Sequence, residues 1–154
     1  MSREDLDIRD PPNLDMKSDM TKVFLGGCIG ECDDWQQKWI DLFGAHVGIA
    51  GKKALVYNPR WDYKWTSVQQ IEWEFDRLRD SDIIVMWFGK GGMNRIVFYE
   101  LGMWINSTGR KAVIGCDPDF DRKDDVVIQT KLARPELPIY TTLNDVAKAV
   151  EEML

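Results

Sequence analysis

The sequence predicts an α/β domain built on a mainly parallel sheet of five strands, and three observations carry that prediction. Apolar runs of strand length at residues 23–25, 54–57, 82–88, 111–116 and 138–140 alternate with longer stretches of helical periodicity. Glycine, proline and aspartate clusters separate the runs. Strands alternating with helices imply a parallel sheet joined by right-handed crossovers. A chain of 154 residues suits one domain, able to bury about 70% of the surface its unfolded form exposes. Residues 1–20 read as an extended lead-in with little regular structure, and residues 21–154 as the domain.

The first strand, Val23-Phe24-Leu25, runs into Gly26-Gly27-Cys28-Ile29-Gly30. Glycines there let backbone N–H groups approach a ligand closely, or simply make a tight turn. No Gly-Lys-Ser/Thr follows, so this is not a Walker loop. A helix begins at Asp34, with Trp35, Trp39, Ile40, Leu42 and Phe43 on its apolar face and Gly44 past its end. The second strand stops at Asn58-Pro59. Residues 60–65 then form a loop of polar and aromatic groups suited to a flat heterocycle or to covering a core. Thr66-Ser67-Val68-Gln69 is a capping box, so a helix runs over 67–79 with Ile71, Phe75 and Leu78 as its buried stripe.

The third strand ends in the loop Gly89-Lys90-Gly91-Gly92-Met93, and Asn94 caps the next helix. At that helix start, Phe98-Tyr99-Glu100-Leu101-Gly102 places one carboxylate among apolar residues. Glu100 reads either as a site residue at a strand end or as a carboxylate favoured by the positive end of the helix dipole. After the fourth strand, Asp117, Asp119 and Asp121 imitate a calcium loop. Arg122 stands where the turn requires glycine, and Ile128 where a bidentate glutamate belongs. A short helix over 124–131, a fifth short strand and a closing helix capped by Thr141 complete the chain.

Composition narrows the function. A net charge of −6 without a basic stripe argues against nucleic acid as a partner and leaves a small molecule. No apolar run is long enough to span a bilayer, and the first residues are too polar for a signal peptide. Cys28, Cys32 and Cys116 are odd in number and lack C-x-x-C spacing, so neither a disulfide framework nor a zinc site is expected, and a reducing cytoplasm is the expected compartment.

His46, the single histidine, falls in the connection between the first helix and the second strand, which disfavours Ser-His-Asp and Cys-His mechanisms. Paired carboxylates remain: Glu100 after the third strand and Glu74 on the helix before it. Two carboxyl groups can divide glycosidic bond cleavage between attack on the anomeric carbon and proton transfer to the leaving group. No cofactor is required.

Val23-Phe24-Leu25-Gly26-Gly27, Asp34-Trp35, Asn58-Pro59-Arg60, Ile71-Glu72-Trp73-Glu74, Asp80-Ser81-Asp82-Ile83-Ile84 and Tyr99-Glu100-Leu101-Gly102, in this order, resemble the nucleoside 2-deoxyribosyltransferase-like family. The resemblance spans about residues 20–116. It implies a three-layer flavodoxin-like (Rossmann-like) domain that cleaves the N-glycosidic bond of deoxynucleosides or their monophosphates and passes the sugar to a base or to water. On this resemblance Glu100 is the nucleophile and Glu74 the carboxylate that exchanges a proton with the base. Gly26 and Gly27 line the sugar or a 5′-phosphate, and Asp34, Trp35, Asn58 and Arg60 bind substrate. Arg60 can also meet a phosphate bidentately. Phe24 replaces the tyrosine that holds the nucleophile in better-studied transferases. Asn94 replaces an aspartate that holds sugar hydroxyls, or is only a helix cap. The resemblance, with the surplus of aromatics, also implies a homodimer. A catalytically silent nucleotide-binding module and an interaction protein are the alternatives.

Overall fold

A computed structural model describes residues 5–30, 32–60, 66–91, 95–106 and 108–154. The elements are β1 (Leu6–Arg9), β2 (Thr21–Gly27), α1 (Trp35–Ala50), β3 (Ala54–Tyr57), α2 (Ser67–Asp80), β4 (Ile83–Phe88), α3 (Arg95–Glu100), β5 (Ala112–Cys116), α4 (Lys123–Ala133), β6 (Ile139–Tyr140) and α5 (Leu143–Glu151). A π-helical segment, Leu101–Asn106, continues α3. No helix among the described residues is long and apolar enough to cross a membrane.

The sheet has six strands in the order β1-β3-β2-β4-β5-β6, and every pairing is parallel. Six replaces the expected five. The added strand, β1, comes from the stretch expected to lack regular structure and pairs Leu6–Arg9 with Ala54–Tyr57. Its four residues alternate apolar and charged among acidic neighbours, too short a pattern to stand out. Arg9 ties this charged edge to the following segment, bonding Asp7 at 2.7 Å and the carbonyls of Asp15 and Lys17 at 3.0 Å. Without β1 the order is β3-β2-β4-β5-β6, a flavodoxin-like sequence of strands that reverses direction between β2 and β4. That reversal is the topological switch point, where ligands of open α/β sheets bind.

Alternation along the strands divides the core. Val23, Leu25, Ile83, Val85 and Trp87 meet α1 and α5 on one face. Phe24, Ile84, Met86 and Phe88 meet α2, α3 and α4 on the other. The central strands are buried on both faces and read as continuous apolar runs, as expected for a covered parallel sheet.

Three local expectations change. Helix α1 does not stop at Gly44 but runs to Ala50, where Gly51 at φ 65° supplies the left-handed cap. Glycine inside a helix costs about 1 kcal/mol relative to alanine, and the fully buried Val47 one turn on keeps the helix seated on the sheet. His46 therefore lies within α1, its Nε2 3.0 Å from Oδ1 of Asn144 in the first turn of α5, not in a connection. The closing helix is capped by Thr142, whose Oγ1 accepts from the Asp145 N–H at 3.1 Å, one residue later than expected.

The third change concerns α2, which starts at the expected Thr66/Gln69 capping box. Its buried face is Trp73, Arg77 and Leu78, whereas Ile71 and Phe75 face outward. The cause is the segment between β1 and β2, which crosses this layer. The Asn13 carbonyl accepts from Trp73 Nε1 at 2.8 Å and Arg77 Nη2 at 3.0 Å, and the Arg77 guanidinium lies 4.4 Å from the centre of the Trp73 ring. Arginine gains both a hydrogen bond to the connector and a stacked aromatic there, which a leucine cannot match. Removing that clamp is expected to cost stability: Arg77→Ala should lower the unfolding free energy by about 2–4 kcal/mol in urea titrations, through lost packing as well as lost hydrogen bonding.

Candidate active site

Rotation of α2 about its axis turns Glu74 toward the sheet. Glu74 neighbours Trp73 and precedes Arg77 and Leu78 by one turn, so it sits at the border of the buried face and is half-buried. Glu100 comes from α3, on the same face of the sheet, and only 9% of it is exposed. It is the last residue of α3, not a first-turn residue, so the positive end of the helix dipole does not account for its position.

The two carboxyl groups feel one another. Burial pushes the Glu100 carboxyl up to about 8, and the charge of Glu74 adds to the effect. Burial also raises Glu74, opposed by Gln70, whose Nε2 donates to Glu74 Oε1 at 3.0 Å. Both carboxyl groups are thus pushed toward their protonated forms, Glu100 the more strongly by burial and by the charge of Glu74. A pair of this kind, both carboxyls raised by burial and one of them supported by a donor, can hold one proton and move it between partners. Sequence reading missed Gln70, although its i, i+4 spacing from Glu74 on a helix was visible.

The other expected site residues gather on the loop between β2 and α1. Gly26 and Gly27 are the last residues of β2, so the strand extends through them where a turn was expected. Close packing alone forbids a side chain at either one. A Cβ on Gly26 would come 2.5 Å from Met86 Sδ, and one on Gly27 would come 2.4 Å from Trp35 Cζ2. Trp35 is a core residue, 5% exposed, whose Nε1 donates to the Cys28 carbonyl at 3.0 Å. Asp34 caps α1 by accepting from the Gln37 N–H at 3.0 Å, and its Oδ1 lies 3.3 Å from Arg60 Nε. Asn58 Oδ1 accepts from the Arg60 N–H at 3.1 Å, folding the end of β3 into a turn.

Arg60 is engaged by this loop. Its Nε donates to Gln36 Oε1 at 2.9 Å, and its Nη2 donates to the Asp33 carbonyl at 2.9 Å. Gln36, fully buried, also donates from Nε2 to the Cys28 carbonyl at 3.0 Å. A polar residue among the apolar positions of α1 was the available signal for it. Cys28 and Cys32 are joined by a disulfide with their Cα atoms 6.4 Å apart, while Cys116 is free and buried. This corrects the expectation from the odd cysteine count, which concealed a pair within one loop, and removes the cysteine-based ground for a reducing compartment. Among the described residues no group of three or more His, Cys, Asp or Glu can hold a metal ion. Asn94 and residues 61–65 of the aromatic loop lie outside the described residues.

Solved structures share this fold. A conserved protein from Enterococcus faecalis V583 aligns over 88% of this chain and 99% of its own, with TM-score 0.60 and 14% identity. A CMP N-glycosidase from Clostridium botulinum aligns over 87% of this chain and 100% of its own, with TM-score 0.55 and 14% identity. No curated protein matches the sequence. Residues 20–120 match the family described as nucleoside 2-deoxyribosyltransferase like, and that span holds β2 through β5 with both buried carboxylates. The chain belongs to the nucleoside 2-deoxyribosyltransferase-like family.

Proposed function

We propose that this protein cleaves the N-glycosidic bond of a 2′-deoxynucleoside or its 5′-monophosphate through a covalent glutamyl-deoxyribosyl intermediate. The observation that carries the reading is the buried Glu100 beside the half-buried Glu74, whose charge acts on it. Family membership and the fold shared with a CMP N-glycosidase support the class of reaction.

In the proposed first step Glu100 attacks C1′ of the sugar. The C1′–N bond breaks, and its electrons pass to the base, which takes a proton from Glu74. In the second step a free base or water attacks C1′ and releases Glu100, with Glu74 accepting the proton. Glu100 must first lose its own proton. Glu74, held by Gln70, is the neighbour placed to take it and to hand it on to the base. Gly26 and Gly27 at the end of β2 are proposed to border the sugar or its 5′-phosphate. Asp34, Trp35, Asn58 and Arg60 would then act mainly by shaping the loop beside it, since Asp34 Oδ1, Trp35 Nε1, Asn58 Oδ1 and Arg60 Nε and Nη2 are engaged within the protein. The reaction as drawn needs no cofactor.

The exposed Val68, Ile71 and Phe75 on α2 and Ile96 and Tyr99 on α3 supply an apolar surface for a homodimer. Light scattering should report twice the chain mass, and a monomer would remove this part of the proposal. A catalytically silent nucleotide-binding module is the second reading, favoured by the burial that disfavours the ionised, nucleophilic form of Glu100.

A panel of deoxynucleosides and monophosphates, with and without an acceptor base, separates the readings. Glu100→Gln should abolish turnover while leaving ligand-induced thermal stabilisation in place. Glu74→Gln should reduce kcat by about 10²–10⁴-fold, the usual size of an acid–base contribution. No released base and no new nucleoside from the unmodified protein would leave only the binding module.

The charge state also predicts a pH signature. The Glu100 carboxyl is raised from 4.5 to about 8 on folding, so between those values the unfolded chain loses a proton that the folded chain keeps. Its contribution to stability is therefore fully present below about 4.5 and is lost as pH rises through about 8. In melting curves, Glu100→Gln should raise Tm more at pH 8.5 than at pH 5. Glu74→Gln should move the loss to lower pH by removing the like charge. An equal Tm change from Glu100→Gln at both pH values would contradict the assignment.

A further inference from the structure

We propose that Cys28 and Cys32 form a reversible thiol–disulfide switch that sets the conformation of the loop between Gly27 and Trp35. The two cysteines bracket the loop that leaves β2 at the topological switch point, and each is half-buried, so an exchange partner can reach them. A cross-link between residues only four apart closes a very short loop, which is where a disulfide stabilises a fold least. Its consequence is local. The Cys28 side of the loop is anchored without it, because the Cys28 carbonyl accepts from Trp35 Nε1 and Gln36 Nε2, both at 3.0 Å. The Cys32 side is held by its own N–H, which donates to the Gly30 carbonyl at 2.8 Å, by the disulfide and by Arg60, whose Nη2 lies 3.3 Å from Cys32 Sγ and 3.4 Å from the carbonyls of both Cys28 and Cys32.

The guanidinium beside Cys32 Sγ gives the exchange a direction. A thiolate from a small thiol attacks Cys28 Sγ, the Sγ–Sγ bond breaks, and Cys32 leaves as a thiolate beside the guanidinium, which stabilises it. A second small thiolate then attacks the mixed disulfide. It releases the Cys28 thiolate and a small-molecule disulfide, so two electrons have passed from two thiols to the protein. Oxidation by a small-molecule disulfide reverses both steps. With the bond open, the Cys32 end keeps the bond to the Gly30 carbonyl and the contacts with Arg60 but loses its covalent tie to Cys28, and the segment that the bond closes gains freedom. The link from this loop to nucleoside binding rests on the reading under Proposed function; the switch itself does not.

The test equilibrates the full chain with reduced or oxidised glutathione, then combines native alkylation by iodoacetamide with intact mass and amide hydrogen exchange. The reduced protein should take up two alkyl groups, at Cys28 and Cys32, and the oxidised protein none, since Cys116 is only 2% exposed. Exchange over residues 28–36 should accelerate by at least about tenfold on reduction while the central strands stay protected. Cys28→Ser and Cys32→Ser should exchange like the reduced form in either glutathione state. Arg60→Gln should move Cys32 alkylation to higher pH, and Arg60→Lys, which keeps the charge, should restore most of it. Two alkylatable thiols in oxidised glutathione, or equal exchange over 28–36 in both states, would overturn the switch. If the loop responds but no deoxynucleoside or monophosphate raises Tm in either state, the switch stands and the nucleoside reading fails.

Discussion

Burial of Glu100 beside Glu74 is the constraint around which the rest of this molecule is arranged. Raising a carboxyl from 4.5 to about 8 penalises its ionised form by on the order of 5 kcal/mol, comparable with the whole net stability of many domains of this size. A carboxyl kept for structure would carry a partner that satisfies it. Glu74 has such a partner in Gln70, whereas Glu100 is raised by burial and by a like charge. Groups held at this cost concentrate where proton and bond chemistry occur. The family to which the chain belongs names a class of chemistry that two carboxylates can perform.

The pair exists because two layers of packing agree. Helix α2 lies with Trp73 and Arg77 inward since the connector from β1 offers the Asn13 carbonyl to both. That orientation carries Glu74 in as well. On its outer side Phe75 meets Trp104 edge-on, with ring centroids 5.2 Å apart, so α2 and the π-helical segment after Glu100 are in direct contact. The edge strand and its connector, remote from both glutamates in sequence, thus help aim Glu74.

The loop between β2 and α1 follows a different logic. Its polar groups are spent on one another: Arg60 on Gln36 and Asp33, Trp35 and Gln36 on the Cys28 carbonyl, Asp34 on the first turn of α1. Such a loop presents backbone and shape more than free side chains. The glycines at its start are required by the Met86 and Trp35 side chains they touch, so the need for glycine there is not itself a mark of ligand binding. Arg60 reads in sequence as a phosphate contact and in the fold as a clamp.

The sequence by itself determined the α/β class, five of the six strands and the Thr66 capping box, and it pointed to Glu74 and Glu100 as candidates, because each rests on local periodicity or on short motifs in fixed order. Strand β1 was hidden, since a four-residue edge strand acquires meaning only from the neighbour it pairs with. The face of α2 was misread for a similar reason: Ile71 and Phe75 form a better apolar stripe than Trp73 and Arg77 until the connector is present to bond the latter. The Cys28–Cys32 bond, the ties of Arg60 and the charge coupling of the two glutamates likewise depend on groups far apart in the chain or on a loop's exact path. Periodicity reports what a segment prefers alone, and only tertiary structure decided which of its side chains would be buried beside which others.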